Sequence, residues 1–355
     1  MNRIKLSFVG DISITGRAEE YVLNKNNKYR EEFLSMFDDS NLILINLESP
    51  VTKSENKKKN KPYIFKSSPE ILDIFDDRFI FCLANNHITD YGIEGLNDTI
   101  NELKLRGFSY CGAGNDLGEA SEIITKTING KNISILNAGD ERYEVASGNS
   151  FGICPANESL LLEKVRIAKL NSEFVIVSLH LGIEFLKFPS EYQISLSEKL
   201  LNQGANIVLH HHSHCLSGYT KYNNTNAVFW ELGNFVFPYS APSGFKKWYN
   251  SAIFNILLNS NDMNISDIEI EPKLINDIGI PKRIDNEYED KIRMDIAKTI
   301  DIIKSGKLKF RRISEMFTIN YFLININNYI KLIKIIGFTK TIKSLIYGIQ
   351  AQLFR

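Results

Sequence analysis

Five short apolar runs each end in residues that bind metals or move protons. They read "KLSFVGD", "NLILINLES", "RFIFCLANNH", "EFVIVSLHLG" and "NIVLHHHSH". Nearly continuous runs of this length suit strands buried on both faces, as in a mainly parallel sheet. Helical patterns lie between them. "GIEGLNDTINELKLRG" places Ile93, Leu96, Ile100, Leu103 and Leu105 near the helical period, with Gly107 as a stop, and "SEYQISLSEKLLNQG" ends at Gly204. "GYTKYNNTNAVFWELGNFVF" predicts a hairpin turning around Asn223 to Asn226. Alternating strands and helices point to a layered α/β domain. In open sheets of that class, ligands gather outside the carboxyl ends of the strands.

The chain has 355 residues, enough for one large domain or two ordinary ones. A formal net charge of zero gives no electrostatic footprint for nucleic acid. The charge is uneven, however. From Ile302 onward ten Lys/Arg face Glu315 alone, which leaves that tail about nine charges positive. The start enters a strand pattern at once, and no run reaches about 18 apolar residues. We therefore expect a cytoplasmic protein with neither signal peptide nor transmembrane helix. Cys82, Cys111, Cys154 and Cys215 lie far apart and form no C-x-x-C pair, which argues against a structural disulfide or zinc knuckle.

The strand–helix rhythm stops near Pro272. This predicts one domain over 1–275 and, over 276–355, a linker around Pro281 to Glu289 followed by a helical, basic extension. Two amphipathic patterns flank Gly337, and Ile342, Leu345, Ile346, Ile349 and Leu353 make one apolar stripe. Such a stripe packs on the main domain or on a second copy. Alternatively, it lies on a membrane as a basic peripheral anchor through 320–355.

The strand ends carry the chemistry. The first ends in Asp11. The second carries Asn46 and Glu48, two apart and so on one face of an extended chain. The third leads into Asn85, Asn86, His87 and Asp90, and the fourth into His180 and Glu184. The fifth holds His210, His211, His212 and His214, so all six histidines of the chain sit in these segments. Each residue alone has a plain structural reading as a turn, a helix cap, a core histidine or an ion pair. Together, carboxylates, Asn and several His form a mixed nitrogen and oxygen ligand set suited to Mn, Fe or Zn rather than to Mg or Ca. In a regular strand His210, His212 and His214 share one face, and His211 points the other way.

"FVGDISITGR", "INLESPVT", "LANNHITDYGIEGL", "SLHLGIEF", "HHHSHCLSG" and "ELGNFVF" occur in the order and spacing of the CapA family of capsule and poly-γ-glutamate synthesis. The resemblance runs from about Lys5 to Phe237 and includes "KPYIFKSSPEIL". That family is similar to the calcineurin-like metallophosphoesterases. The resemblance implies a layered α/β/β/α sandwich of the metallo-dependent phosphatase type, here with a C-terminal helical extension.

It also implies a site with two divalent metal ions. Asp11, Glu48, Asn86, His180, His212 and His214 look like the metal ligands, with Glu48 bridging and His87 facing the leaving group. Phosphoesterases carry a His two residues after the first Asp. This chain has Ser13 there, and the CapA family lacks that His too. Leu181, Ser213 and His210 stand where the family has Trp, Pro and Gly, and the role of His210 is left open by the sequence.

Two metals would lower the pKa of a shared water and stabilise charge on an attacked phosphoryl group, while His87 serves as proton donor. Arg17 and Arg142 are candidates to hold an anionic substrate, since guanidinium groups pair with phosphate or carboxylate in a bidentate way. Asn46, Lys61, Tyr63, Asp90, Glu184 and Asn234 are further substrate-binding candidates. The first functional expectation is a metal-dependent hydrolase acting on an anionic small molecule or polymer precursor. The alternative is a non-catalytic assembly or export component working with capsule-synthesis proteins. A third is attack on a γ-glutamyl amide, because an activated water also attacks a carbonyl.

Overall fold

The computed structural model describes residues 3–316, apart from 26, 60, 239–245 and 306. The apolar stripe of 342–353 and the proposed membrane contact through 320–355 lie outside the described residues. In chain order, the strands of the first half are β1 (Arg3–Ile12), β2 (Leu42–Leu47), β3 (Phe79–Cys82), β4 (Ser109–Cys111), β5 (Ala113–Gly114), β6 (Ile124–Ile128), β7 (Lys131–Gly139) and β8 (Gly152–Ile153). Those of the second half are β9 (Phe174–His180), β10 (Ile207–His211), β11 (Leu216–Lys221), β12 (Ala227–Leu232), β13 (Asn234–Val236), β14 (Asn250–Asn259), β15 (Ile265–Ile275) and β16 (Pro281–Lys282). The helices are α1 (Gly16–Lys25), α2 (Asn27–Leu34), α3 (Gly92–Leu105), α4 (Leu117–Ala120), α5 (Glu158–Asn171), α6 (Glu191–Gln203), α7 (Asn286–Lys304) and α8 (Leu308–Met316).

The strands form two large mixed sheets. One runs β16-β15-β14-β1-β2-β3-β4, with β13 also on β1, and the other runs β11-β12-β10-β9-β7-β6. In the first, β1 to β4 are mutually parallel, and in the second β7, β9, β10 and β12 are parallel. Side chains alternate across each strand. From β2, Leu42 and Leu44 enter the layer between the sheets, while Ile43, Ile45 and Leu47 face outward. From β9, Phe174 and Ile176 face the same inner layer, while Val175 and Val177 face outward. Both faces are buried, which is why these runs read as almost continuously apolar.

Three apolar layers result. Phe8, Phe229 and Phe254 meet edge-on between the sheets, with ring centroids 5.6 and 5.5 Å apart. Phe33, Leu96 and Leu103 from α2 and α3 cover the outer face of the first sheet. Leu161, Val165, Leu196 and Leu200 from α5 and α6 cover the second. The order is therefore α/β/β/α, as the resemblance implied. Each fully buried Leu, Ile or Phe stabilises this stack by about 1.5–3 kcal/mol.

Helix α3 forms where its spacing predicts it. Leu96, Ile100 and Leu103 are its buried stripe, but Ile93 and Leu105 are exposed at 47% and 79%. Leu105 lies off the stripe, while Ile93 lies along it but in the first turn of the helix, so apolar character alone did not decide their burial. The predicted hairpin forms between β11 and β12. Beyond it, Pro281–Lys282 pair with β15, and α7 starts with its N-cap Asp285 accepting from the Tyr288 amide. Helix α7 places Ile292 and Ile296 in the layer between the sheets. Among the described residues, no helix is long and apolar enough to cross a membrane.

Candidate metal centre

The parallel strands of both sheets end at a common edge, and there the polar residues meet. On β1, Gly10 permits a close backbone crossing, because a Cβ at that position would lie 2.2 Å from the Gly233 carbonyl. The next amide, Asp11 N–H, donates to that same carbonyl at 2.8 Å. Asp11 and Glu48 are fully buried. Asn46 Nδ2 donates to Asp11 Oδ1 at 2.9 Å and to Glu48 Oε2 at 3.3 Å. The other oxygens, Asp11 Oδ2 and Glu48 Oε1, accept no hydrogen bond. Burial opposes ionisation of Asp11, but hydrogen bonds and charge from His211 and His214 hold it well below its ordinary range. Burial first, then the Asp11 charge, push Glu48 well above its own.

The loop after β3 is fixed by amides. Asn85 donates to Asn46 Oδ1 and to the Leu47 carbonyl, at 3.1 and 2.8 Å, while its own Oδ1 accepts from the His87 and Ile88 amides. Asn86 Oδ1 lies 3.0 Å from His180 Nε2. His87 is clamped differently. Its Nδ1 is 2.7 Å from Asp90 Oδ2, and its ring stacks on Phe65 at 3.9 Å. Lys61 Nζ contacts Asp90, the Asn86 carbonyl and His87 Nδ1. Burial first, then the Lys61 charge, push the His87 imidazole down to about 4, so it is uncharged at neutral pH.

The second sheet supplies the nitrogens. His180 Nε2 is 3.0 Å from His212 Nδ1 and 3.8 Å from Glu48 Oε1. Regular strand β10 ends at His211, and His212 and His214 then adopt φ of 96° and 59°. The alternation expected from the sequence stops where the strand stops. His211, still within the strand, alternates with His210 and faces the centre, with Nδ1 3.0 Å from Asp11 Oδ1, instead of pointing away from it. His214 Nδ1 sits 2.8 Å from Asn234 Oδ1 and 3.2 Å from Asp11 Oδ2.

Among the described residues six non-glycine positions have positive φ, and Phe185, His212, His214 and Glu231 among them belong to this edge. Backbone of that kind costs about 1–3 kcal/mol each and collects where function needs it.

His210 faces the other way, toward α6. Its ring stacks on Trp230 at 5.2 Å, and its Nε2 is 2.8 Å from Ser197 Oγ. It does not share a face with His212 and His214, and this packing explains the histidine that the sequence left open. Burial, then the His211 charge, push it down to about 3. Beside it, Gln193 Nε2 donates to Glu231 Oε1 at 2.8 Å, and burial pushes the Glu231 carboxyl up to about 8.

The other candidate residues fall in three places. Asn46, Lys61, Asp90 and Asn234 are in direct contact with the central residues. Glu184, half-buried in the loop after β9, adds its negative charge to the field on Glu48 and His214. Tyr63 packs with Phe65, Phe237 and Trp248 beside the site. Arg142 is paired with Asp140 Oδ2 at 2.6 Å, and Arg17 donates to the Asp277 carbonyl at 2.5 Å. Sequence reasoning missed Tyr143, whose hydroxyl is 3.0 Å from His212 Nε2, and the role of Phe65 as the plate under His87. Tyr143 lies outside the quoted motifs and Phe65 inside "KPYIFKSSPEIL", but neither contact is legible locally, since both join segments distant in sequence.

Asp11, Glu48 and His180 offer ligand atoms that all lie within 4.8 Å of one another. Buried carboxylate oxygens beside imidazole nitrogens and an amide oxygen fit a divalent cation.

Residues 5–239 match the family described as "Bacterial capsule synthesis protein PGA_cap". The chain is 29% identical over 318 residues to the PGA biosynthesis protein CapA of Bacillus subtilis (strain 168), covering 86% of this chain and 82% of that protein. It is 28% identical over 278 residues to the capsule biosynthesis protein CapA of Bacillus anthracis, covering 75% and 66%. Among solved structures, the calcineurin-like phosphoesterase YfkN from Bacillus subtilis overlays with a TM-score of 0.45 at 13% identity, covering 85% of this chain and 99% of that one. A Mycoplasma pneumoniae phosphatase overlays with 0.48 at 14%, covering 77% and 94%. The six motifs and the strand ends that carry them fall within the matched span, and the chain belongs to the bacterial capsule synthesis protein PGA_cap family.

Proposed function

We propose that this protein is a metal-dependent hydrolase of the phosphoesterase type, acting on an anionic precursor in surface-polymer synthesis. The observation that carries the reading is the buried Glu48 Oε1, which has no hydrogen-bond partner, beside Asp11 and His180 at the convergence of two sheets. A carboxylate oxygen buried without a partner is costly unless a cation meets it. Glu48 Oε1, Asn86 Oδ1, His180 Nε2 and His212 Nδ1 would hold one divalent ion, and Asp11 Oδ2, Glu48 and His214 a second. Bound ions of this kind activate water and neutralise charge on the attacked phosphoryl or acyl oxygen.

The chain's own groups then do the following. Asn46 and Asn85 fix the carboxylates and the Asn86 loop. His87, uncharged and hydrogen-bonded through Nδ1 to Asp90, presents Nε2 to take up a proton and pass it to the leaving oxygen. Lys61, paired with Asp90 beside His87, would be a cation for an anionic group, and Glu184 adds negative charge. The relatives named for capsule and PGA biosynthesis support a polymer precursor as substrate.

The test is metal analysis of the purified protein, followed by phosphate release from a panel of phosphomonoesters with Mn²⁺ added. Wild type should bind divalent metal and turn over, while His180→Ala and His212→Ala should lose both properties. A wild-type protein that takes up no transition metal, or activity equal in all three proteins, would sink the reading.

A further inference from the structure

We propose that His211 is a positioning residue for Asp11, supplied by the second sheet to a carboxylate that β1 cannot orient by itself. The inference rests on the reading of this edge as a metal centre. Asp11 Oδ1 receives two donors, Asn46 Nδ2 at 2.9 Å and His211 Nδ1 at 3.0 Å. An ionised carboxylate only accepts, so the His211 Nδ1 carries the proton. Asn46 gives Asp11 one donor, at Oδ1, and its amide nitrogen also meets Glu48 Oε2 at 3.3 Å, so one N–H alone holds the Asp11 carboxylate from the first sheet. The second donor pins Oδ1. It thereby turns Oδ2 toward His214 Nδ1, 3.2 Å away.

The position of His211 suits that task better than a ligand's. It is the last residue of regular β10 and pairs in register with His180 of β9, so its backbone is held by the ladder. His212 and His214, by contrast, stand on left-handed backbone beyond the strand. Just beyond β1, position 13 holds a buried serine whose Oγ has no hydrogen-bond partner, so it gives Asp11 no help. Hydrogen-bonded partners of metal ligands typically carry about 10–100-fold in metal affinity.

The experiment is a Mn²⁺ titration by calorimetry and a Co²⁺ titration by visible absorption, on wild type and three variants. His211→Phe keeps ring volume and removes the donor, His211→Ala removes both, and His211→Gln keeps an N–H donor. We expect His211→Phe and His211→Ala to bind Mn²⁺ about 10–100-fold more weakly in one step. His211→Gln should recover most of that loss, with a Co²⁺ spectrum like wild type. Either donor-free variant suffices if the other fails to fold. Wild-type affinity in His211→Phe or His211→Ala overturns the inference. Equal loss in His211→Gln and the donor-free variants overturns it too, and marks His211 as a ligand or packing group. A wild type that binds neither ion overturns this inference together with the metal-centre reading, which separates the two failures.

Discussion

Asp11 lies within β1 and Glu48 one residue beyond β2, both held by ladder and amide contacts, whereas His212 and His214 leave the second sheet on left-handed backbone. The first sheet thus presents its carboxylates from regular strand ends. The second presents imidazoles from a turn that its surroundings must hold in shape. Phe185, itself at φ 67°, donates its amide to the Ser213 carbonyl at 2.8 Å, between the two histidines. Two residues further, Lys187 Nζ meets Asp295 Oδ2 of α7 at 2.6 Å, and its amide meets Glu315 of α8 at 3.0 Å. Strain on one side of the centre is balanced by packing that reaches the C-terminal helices, while the other side rests on regular backbone and is trimmed by side-chain donors from Asn46 and His211.

The sharpest way to break this contrast is Glu48→Gln on the regular side. It should abolish divalent metal binding in calorimetry. In metal-free protein it should raise Tm at neutral pH, because the glutamine no longer places a carboxyl beside Asp11 in a buried site. A Tm drop in the metal-free form would contradict the account of that oxygen as cation-facing.

On the strained side, Glu231→Gln tests what lies behind the turn. Burial raises this carboxyl from 4.5 to about 8, so between those values the folded state binds more protons than the unfolded one. Its contribution is therefore present below about pH 4.5 and lost as pH rises toward 8. The variant should gain on the order of 2–5 kcal/mol over wild type at pH 8 and almost nothing at pH 5. Urea midpoints at the two pH values check it, and a pH-independent difference would refute it.

Lys187→Met probes the brace itself. The lysine side chain is 6% exposed and its partner 32%, so breaking the pair should cost about 1–2 kcal/mol, less than a fully buried pair. Mn²⁺ affinity should fall along with the urea midpoint. Unchanged affinity would separate α7 from the metal centre.

The smallest effect is expected at His210. His210→Phe should cost about 1 kcal/mol through the lost Ser197 contact and leave Mn²⁺ affinity as it is. Its neighbour His212→Ala should remove metal binding. His210→Phe should also flatten the acid limb of the stability curve, since His210 stays unprotonated in the fold down to about 3 while the unfolded chain takes its proton near 6.5. Stability from that group is full above about 6.5 and declines as pH falls toward 3, and Tm measured against pH reads it.

Much of this was legible in the chain. Apolar runs that bury both faces told of parallel strands, and Asp11, Glu48, Asn86, His180, His212 and His214 could be placed at their ends because strand termini share an edge. The spacing of Asn46 and Glu48 placed them on one face, and both reach the centre. The histidine cluster was misread in two members for one reason. A period of two holds only while φ stays extended, and nothing in "HHHSH" states that the strand ends at His211. Tyr143 and Lys187 had no local signal at all, because each acts through a partner far along the chain, His212 and Asp295.

The sequence by itself determined the layered fold and the chemical kind of each strand end, because periodicity and residue type act locally. Only the tertiary structure decided which histidines face the centre, which carboxylate oxygens lack donors and what braces the turn. Those outcomes depend on where strand β10 stops and what packs against the turn beyond it.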